Sequence, residues 1–135
     1  MPFVLDASVT LAWILDDEDH PIAQHAFERI PDDQPLVPSM WWFEVRNALL
    51  MGERKKRSTV AITTTALGHL AKITIAVDAD PDERSIFRLS RRHQLTFYDA
   101  AYLELAARRR CPLATLDRAL LRAARKEDVS LLGPD

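Results

Sequence analysis

Residues 3–15 read FVLDASVTLAWIL, and the change of pattern at Asp6 decides how the chain begins to fold. Phe3-Val4-Leu5 is apolar without alternation, the pattern of a strand covered on both faces. From Val9 to Leu15 the apolar residues take up helical spacing, so the stretch reads as strand, turn and helix. Further strands are expected at Leu36-Val37, at the β-branched run Ile73 to Val77, at Leu113 to Leu116 and at Val129 to Leu132. Between them the pattern predicts a helix from Pro21 to about Ile30. Two more follow, Met40 to about Glu53 capped by Ser39 and Thr59 to Ala71 capped by Ser58. The run Asp80-Pro81-Asp82-Glu83, with Pro81 at the first helical position, opens a helix to about Arg92. The last two helices run from Thr96 or Phe97 to about Arg109 and from Arg118 to Lys126. Strands separated by helices pair in parallel, which predicts a single α/β domain over residues 1–135. Its central sheet is mostly parallel, with about five short strands and helices on both faces.

Composition narrows the chemistry. With 135 residues, 47% hydrophobic and 28% charged, the chain matches one ordinary globular domain. The single cysteine, Cys111, rules out an intrachain disulfide and a cysteine-rich zinc site. No basic region followed by a long apolar run opens the sequence, so neither a signal peptide nor a membrane span is expected, and the cytoplasm is the expected compartment. A formal net charge of −2 argues against a surface that grips nucleic acid throughout. Local basic clusters remain at Arg54-Lys55-Lys56-Arg57, Arg91-Arg92 and Arg108-Arg109-Arg110, opposed by the acidic run Asp16-Asp17-Glu18-Asp19. The three glycines stand too far apart for a phosphate-cradling loop, and the four histidines include no helical ligand pair.

Four carboxylates stand where an ordinary core does not want them. Asp6 and Asp117 follow strands, the place where open parallel sheets bind ligands, although Asp is also a favoured helix cap. On a helical wheel Glu44 lies opposite Arg46 and Glu53, and Asp99 lies opposite Phe97, Ala101, Glu104 and Arg108, whose Glu104–Arg108 pair is expected in water. Asp99 also suits a capping box with Thr96. If the four acids converge, their repulsion calls for a cation, and an all-carboxylate pocket prefers Mg²⁺ or Mn²⁺, the ions of phosphoester cleavage.

The segments VLDASVTLAWIL, WWFEVRNALL, TFYDAAYLELA and LATLDRALLRAA resemble, in order and spacing, the four acidic motifs of PIN-domain nucleases, and within them VapC-type toxins of bacterial toxin–antitoxin pairs. The resemblance runs from Val4 to about Leu131. It implies a sheet in which the first strand is central and neighbours the strand ending at Asp117. It also implies Mg²⁺- or Mn²⁺-dependent endoribonuclease activity, with Asp6, Glu44, Asp99 and Asp117 as catalytic, metal-binding acids. Ser8, Asn47 and Thr115 match supporting polar positions. A homodimer and a small antitoxin that blocks the cleft are further implications. Trp13, Trp41 and Trp42 supply apolar surface, expected in the core rather than in an interface. Arg46, Arg54, Lys55, Lys56, Arg57 and Arg118 lie near the motifs in sequence and are the candidates for RNA phosphate contact. The alternatives are a PIN-like module that binds RNA or protein without cutting, and a metal-dependent DNA nuclease or phosphatase.

Overall fold

A computed structural model of the chain describes residues 1–15 and 20–133. The acidic run at 16–19 lies outside the described residues. In chain order the elements are β1 (Phe3–Leu5), α1 (Ala7–Leu15), α2 (Pro21–Glu28), β2 (Pro35–Pro38), α3 (Trp41–Arg54), α4 (Val60–Leu70), β3 (Ala76–Asp78), α5 (Glu83–His93), α6 (Phe97–Arg109), β4 (Leu113–Ala114) and α7 (Arg118–Lys126).

The four strands form one parallel sheet in the order β3-β2-β1-β4. Strand order therefore reverses between β1 and β4, and their carboxyl ends border the switch point. The expected fifth strand is reduced to a single bridge between Leu113 and Leu131. Leu113 N–H donates to Ser130 O at 2.9 Å and Leu132 N–H to Leu113 O at 2.9 Å. The third strand lies a few residues later than expected and sits at the sheet edge, where Val77 is exposed.

The helices flank this sheet, and three of the expected starts shift. Met40, not Ser39, stands at the N-cap of α3, in helical backbone and without a side-chain cap bond. At α4 the cap is Thr59, whose Oγ1 accepts from Ile62 N–H at 3.2 Å, while the Ser58 hydroxyl is buried without a partner among the described residues. Asp82 caps α5 by accepting from Ser85 N–H at 3.4 Å, so Pro81 precedes the helix.

A larger correction concerns α6. Its centre, Ala100 to Ala106, is buried all round, because α5 packs along the side that the wheel assigned to water. Glu104 is only 3% exposed. Its Oε2 accepts from Arg108 Nε at 2.7 Å and its Oε1 from Asp82 N–H at 3.0 Å. Arg108 continues to Asp78 at 2.7 Å, so one guanidinium joins α6 to the end of β3. The tryptophans divide. Trp41 is buried and its Nε1 donates to Thr10 Oγ1 at 2.9 Å. Trp13 is partly buried and donates to Ala23 O at 2.7 Å. Trp42 departs from the core expectation: it is 50% exposed, packed edge-on against the exposed Phe43, with the Arg46 guanidinium 3.9 Å above its ring.

Candidate active site

Asp6 is the first residue after β1, and the turn into α1 starts on its carbonyl, which accepts from Val9 N–H and Thr10 N–H at 3.2 Å each. Its carboxylate is buried and converges with the end of β4. Ser8 Oγ and Thr115 Oγ1 both donate to Asp6 Oδ2, at 2.8 and 2.6 Å. Each hydroxyl also accepts a backbone N–H, Ser8 from Leu116 and Thr115 from Asp117, both at 3.0 Å. The β1 and β4 ends are thereby laced together around one carboxylate oxygen. Burial pushes the Asp6 carboxyl above its usual range, the two hydroxyls oppose that rise, and the nearby Asp117 charge adds to it.

The other three acids come to the same region on helix starts. Asp117 caps α7, its Oδ1 accepting from Leu120 N–H at 3.0 Å. Asp99 sits in the first turn of α6, where its N–H donates to Thr96 Oγ1 at 3.0 Å. The cap and the inward carboxylate therefore coexist. Burial, then the charges of Asp117 and Asp6, raise the Asp99 carboxyl, against a lowering hydrogen bond with Thr96. Glu44 lies in the first turn of α3 and accepts from Tyr102 Oη at 2.5 Å. Burial raises its carboxyl, the Tyr102 bond opposes this, and Asp6 and Asp99 reinforce it. Each of the four acids thus feels at least one of the others.

Among the described residues none of the four is in an ion pair with a Lys, Arg or His. Nor, among those residues, are any three Asp, Glu, His or Cys side chains drawn close enough to grip an ion. Mg²⁺ needs only one or two protein carboxylates and keeps several waters, so the donor set fits such an ion without an all-protein cage.

The supporting residues separate. Ser8 and Thr115 hold Asp6, whereas Asn47 lies exposed one turn after Glu44. Arg118 is exposed and follows Asp117 directly. Arg46 stacks on Trp42 and its Nη1 donates to Trp42 O at 3.0 Å. The Arg54 to Arg57 cluster is exposed, and at 1.5 Å per residue α3 carries Arg54 about 15 Å along its axis from Glu44. Nearness in sequence is not nearness in space here. Tyr102 is the neighbour of Glu44 that sequence reasoning missed; its position three residues after Asp99, on the same side of the helix, was the available signal. A separate apolar cleft of about 930 Å³, bordered by Trp13, Phe27, Ile30, Pro35 and Ile73, contains none of the four acids.

A parallel α/β domain with unpaired carboxylates at its switch point is the class that the fold and site define. The chain belongs to the PIN domain family, whose model matches residues 3–126. Solved structures share the fold. PAE2754 from Pyrobaculum aerophilum is 23% identical with a TM-score of 0.67, over 91% of this chain and 84% of that one. VapBC2 from Rickettsia felis, bound to a DNA fragment from its promoter, is 13% identical with a TM-score of 0.67, over 100% of both chains. FitAcB from Neisseria gonorrhoeae is 17% identical with a TM-score of 0.56, over 98% of this chain and 97% of that one. No curated protein sequence matches the chain.

Proposed function

We propose that this protein is a metal-dependent endoribonuclease of VapC type, acting as the toxin of a toxin–antitoxin pair. The observation that carries the reading is the group of four motif acids, Asp6, Glu44, Asp99 and Asp117, each near enough to another for their charges to interact and none with a cationic partner among the described residues. These acids would hold Mg²⁺ or Mn²⁺, which supplies hydroxide near neutral pH and stabilises charge on the phosphate oxygens. The protein's own part is positioning. Ser8 and Thr115 fix the Asp6 carboxylate, and the caps at Thr96 and Asp117 fix the helix starts that carry Asp99 and Arg118. Arg118, exposed beside Asp117, is the basic residue best placed to meet a substrate phosphate.

The partners follow from the same reading: RNA as substrate, a cognate antitoxin, and a second copy of the chain as homodimer partner. The apolar cleft edged by Trp13 and Phe27 offers surface for an antitoxin segment, and the exposed Trp42 and Phe43 offer it for a second copy. The compartment proposed is the cytoplasm; no described helix is long and apolar enough to cross a membrane.

The test is cleavage of single-stranded RNA, structured RNA and DNA of matched sequence, each in Mn²⁺ and in EDTA. The reading predicts internal cuts in at least one of the two RNAs, that EDTA abolishes. Cleavage of DNA alone would transfer the activity to the DNA-nuclease alternative, and no cleavage of any substrate would leave a binding module.

A further inference from the structure

Tyr102 is fully buried in the middle of α6, yet its hydroxyl does not look for water. It donates to Glu44 Oε1 at 2.5 Å, across 58 residues of sequence, and lies near the Ala7 backbone N–H. One phenol therefore touches α3, where Glu44 is carried, and the turn after β1, where Asp6 is carried. Glu44 is a long side chain with three rotatable bonds, and among the described residues it receives no other side-chain hydrogen bond.

We propose, building on the nuclease reading, that Tyr102 is a positioning residue. By donating its hydroxyl to Oε1 it holds Glu44 in one rotamer and presents the carboxylate toward Asp6 and Asp99 for the metal. The phenol is suited to this because its ring is buried in the core while its hydroxyl, neutral at physiological pH as any ordinary phenol is, reaches the carboxylate. It remains an O–H donor whenever Glu44 is ionised. The arrangement mirrors Asp6, where the Ser8 and Thr115 hydroxyls do the holding. Residues that orient metal ligands in this way typically change metal affinity by 10- to 100-fold when removed.

Tyr102→Phe keeps the ring in the core and deletes only the hydroxyl, so its melting curve should remain cooperative. The expected result, by calorimetric titration of Mn²⁺, is a Kd raised about tenfold, with kcat lowered by a similar factor at fixed Mn²⁺ and the KM for RNA within about twofold of wild type. The same substitution in a Glu44→Gln background should change Mn²⁺ binding by less than about twofold, because the two residues act as one unit. Unchanged Mn²⁺ affinity in Tyr102→Phe would overturn the proposal. So would an equal loss in both backgrounds, which assigns Tyr102 to packing alone. If wild type itself bound no Mn²⁺, the nuclease reading would fall and this proposal with it; the wild-type titration therefore separates the two failures.

Discussion

Asp6→Asn is expected to lower Mn²⁺-dependent RNA cleavage by roughly a thousandfold or more, the scale on which losing one charged contact at a reacting centre acts. Asp6 earns this rank by location. It is the buried member of the four, follows the central strand β1, and receives two hydroxyl donors from both sides of the switch point. The asparagine amide oxygen can accept those same hydroxyls, so the fold should survive. Stability should in fact rise without metal. Because burial raises the Asp6 carboxyl in the folded protein, the folded state binds this proton more tightly than the unfolded chain does. Stability from this group therefore falls as pH climbs from the usual carboxylate range through the raised value. At neutral pH the ionised Asp6 is a cost that asparagine removes, and below the usual carboxylate range the advantage vanishes. Melting temperatures of metal-free wild type and Asp6→Asn across pH 3 to 8 check the sign. A variant that is less stable at neutral pH than at acid pH, relative to wild type, contradicts it.

The second large effect is on stability alone. Glu104→Ala should destabilise the protein by about 3 kcal/mol, the lower end of the cost of breaking a buried pair, because Arg108 is partly exposed and water can take over some of its solvation. The substitution removes the acceptor of both Arg108 Nε and Asp82 N–H, so the α5 cap region and α6 lose a common anchor. Arg108 keeps Asp78, which limits the loss. Glu104 faces the opposite side of α6 from Asp99, so cleavage per folded molecule should stay near wild type. Urea unfolding reads the first quantity and cleavage at low temperature the second. A stability within about 0.5 kcal/mol of wild type would mean that the buried pair contributes as little as an exposed one.

How much of this was legible depended on whether the information was local. The uninterrupted apolar run before Asp6 and the alternation of strands with helices carried the parallel sheet; Asp6 and Asp117 were read from the strand ends, and Glu44 and Asp99 from the helical wheel. What escaped was decided by distant partners. Glu104 and Arg108 carry the spacing of a solvated pair, and only the packing of α5 over α6 buries them. Tyr102 shares a side of its helix with Asp99, but nothing in its own segment singles out Glu44, on α3, as the partner of its hydroxyl. Ser39 and Ser58 have capping chemistry, but a cap also needs extended backbone at that residue, and the helices begin one residue later than either serine requires. The fifth strand failed because, among the described residues, Val129 to Leu132 makes only a single bridge, Leu131 to Leu113. The Arg54 to Arg57 cluster, near Glu44 in sequence, is carried away by the length of α3.

The central claim is that the four acids form a divalent-metal site, and the measurement closest to it is thermal unfolding of wild type during titration with Mn²⁺, with Asp6→Asn alongside. Selective binding to the folded state stabilises by about 2.7 kcal/mol at a hundredfold excess over Kd, or roughly 10 °C for a domain of this size. The account predicts a saturable rise of that order in wild type and little or none in Asp6→Asn. The same rise in both proteins, or in neither, would contradict it.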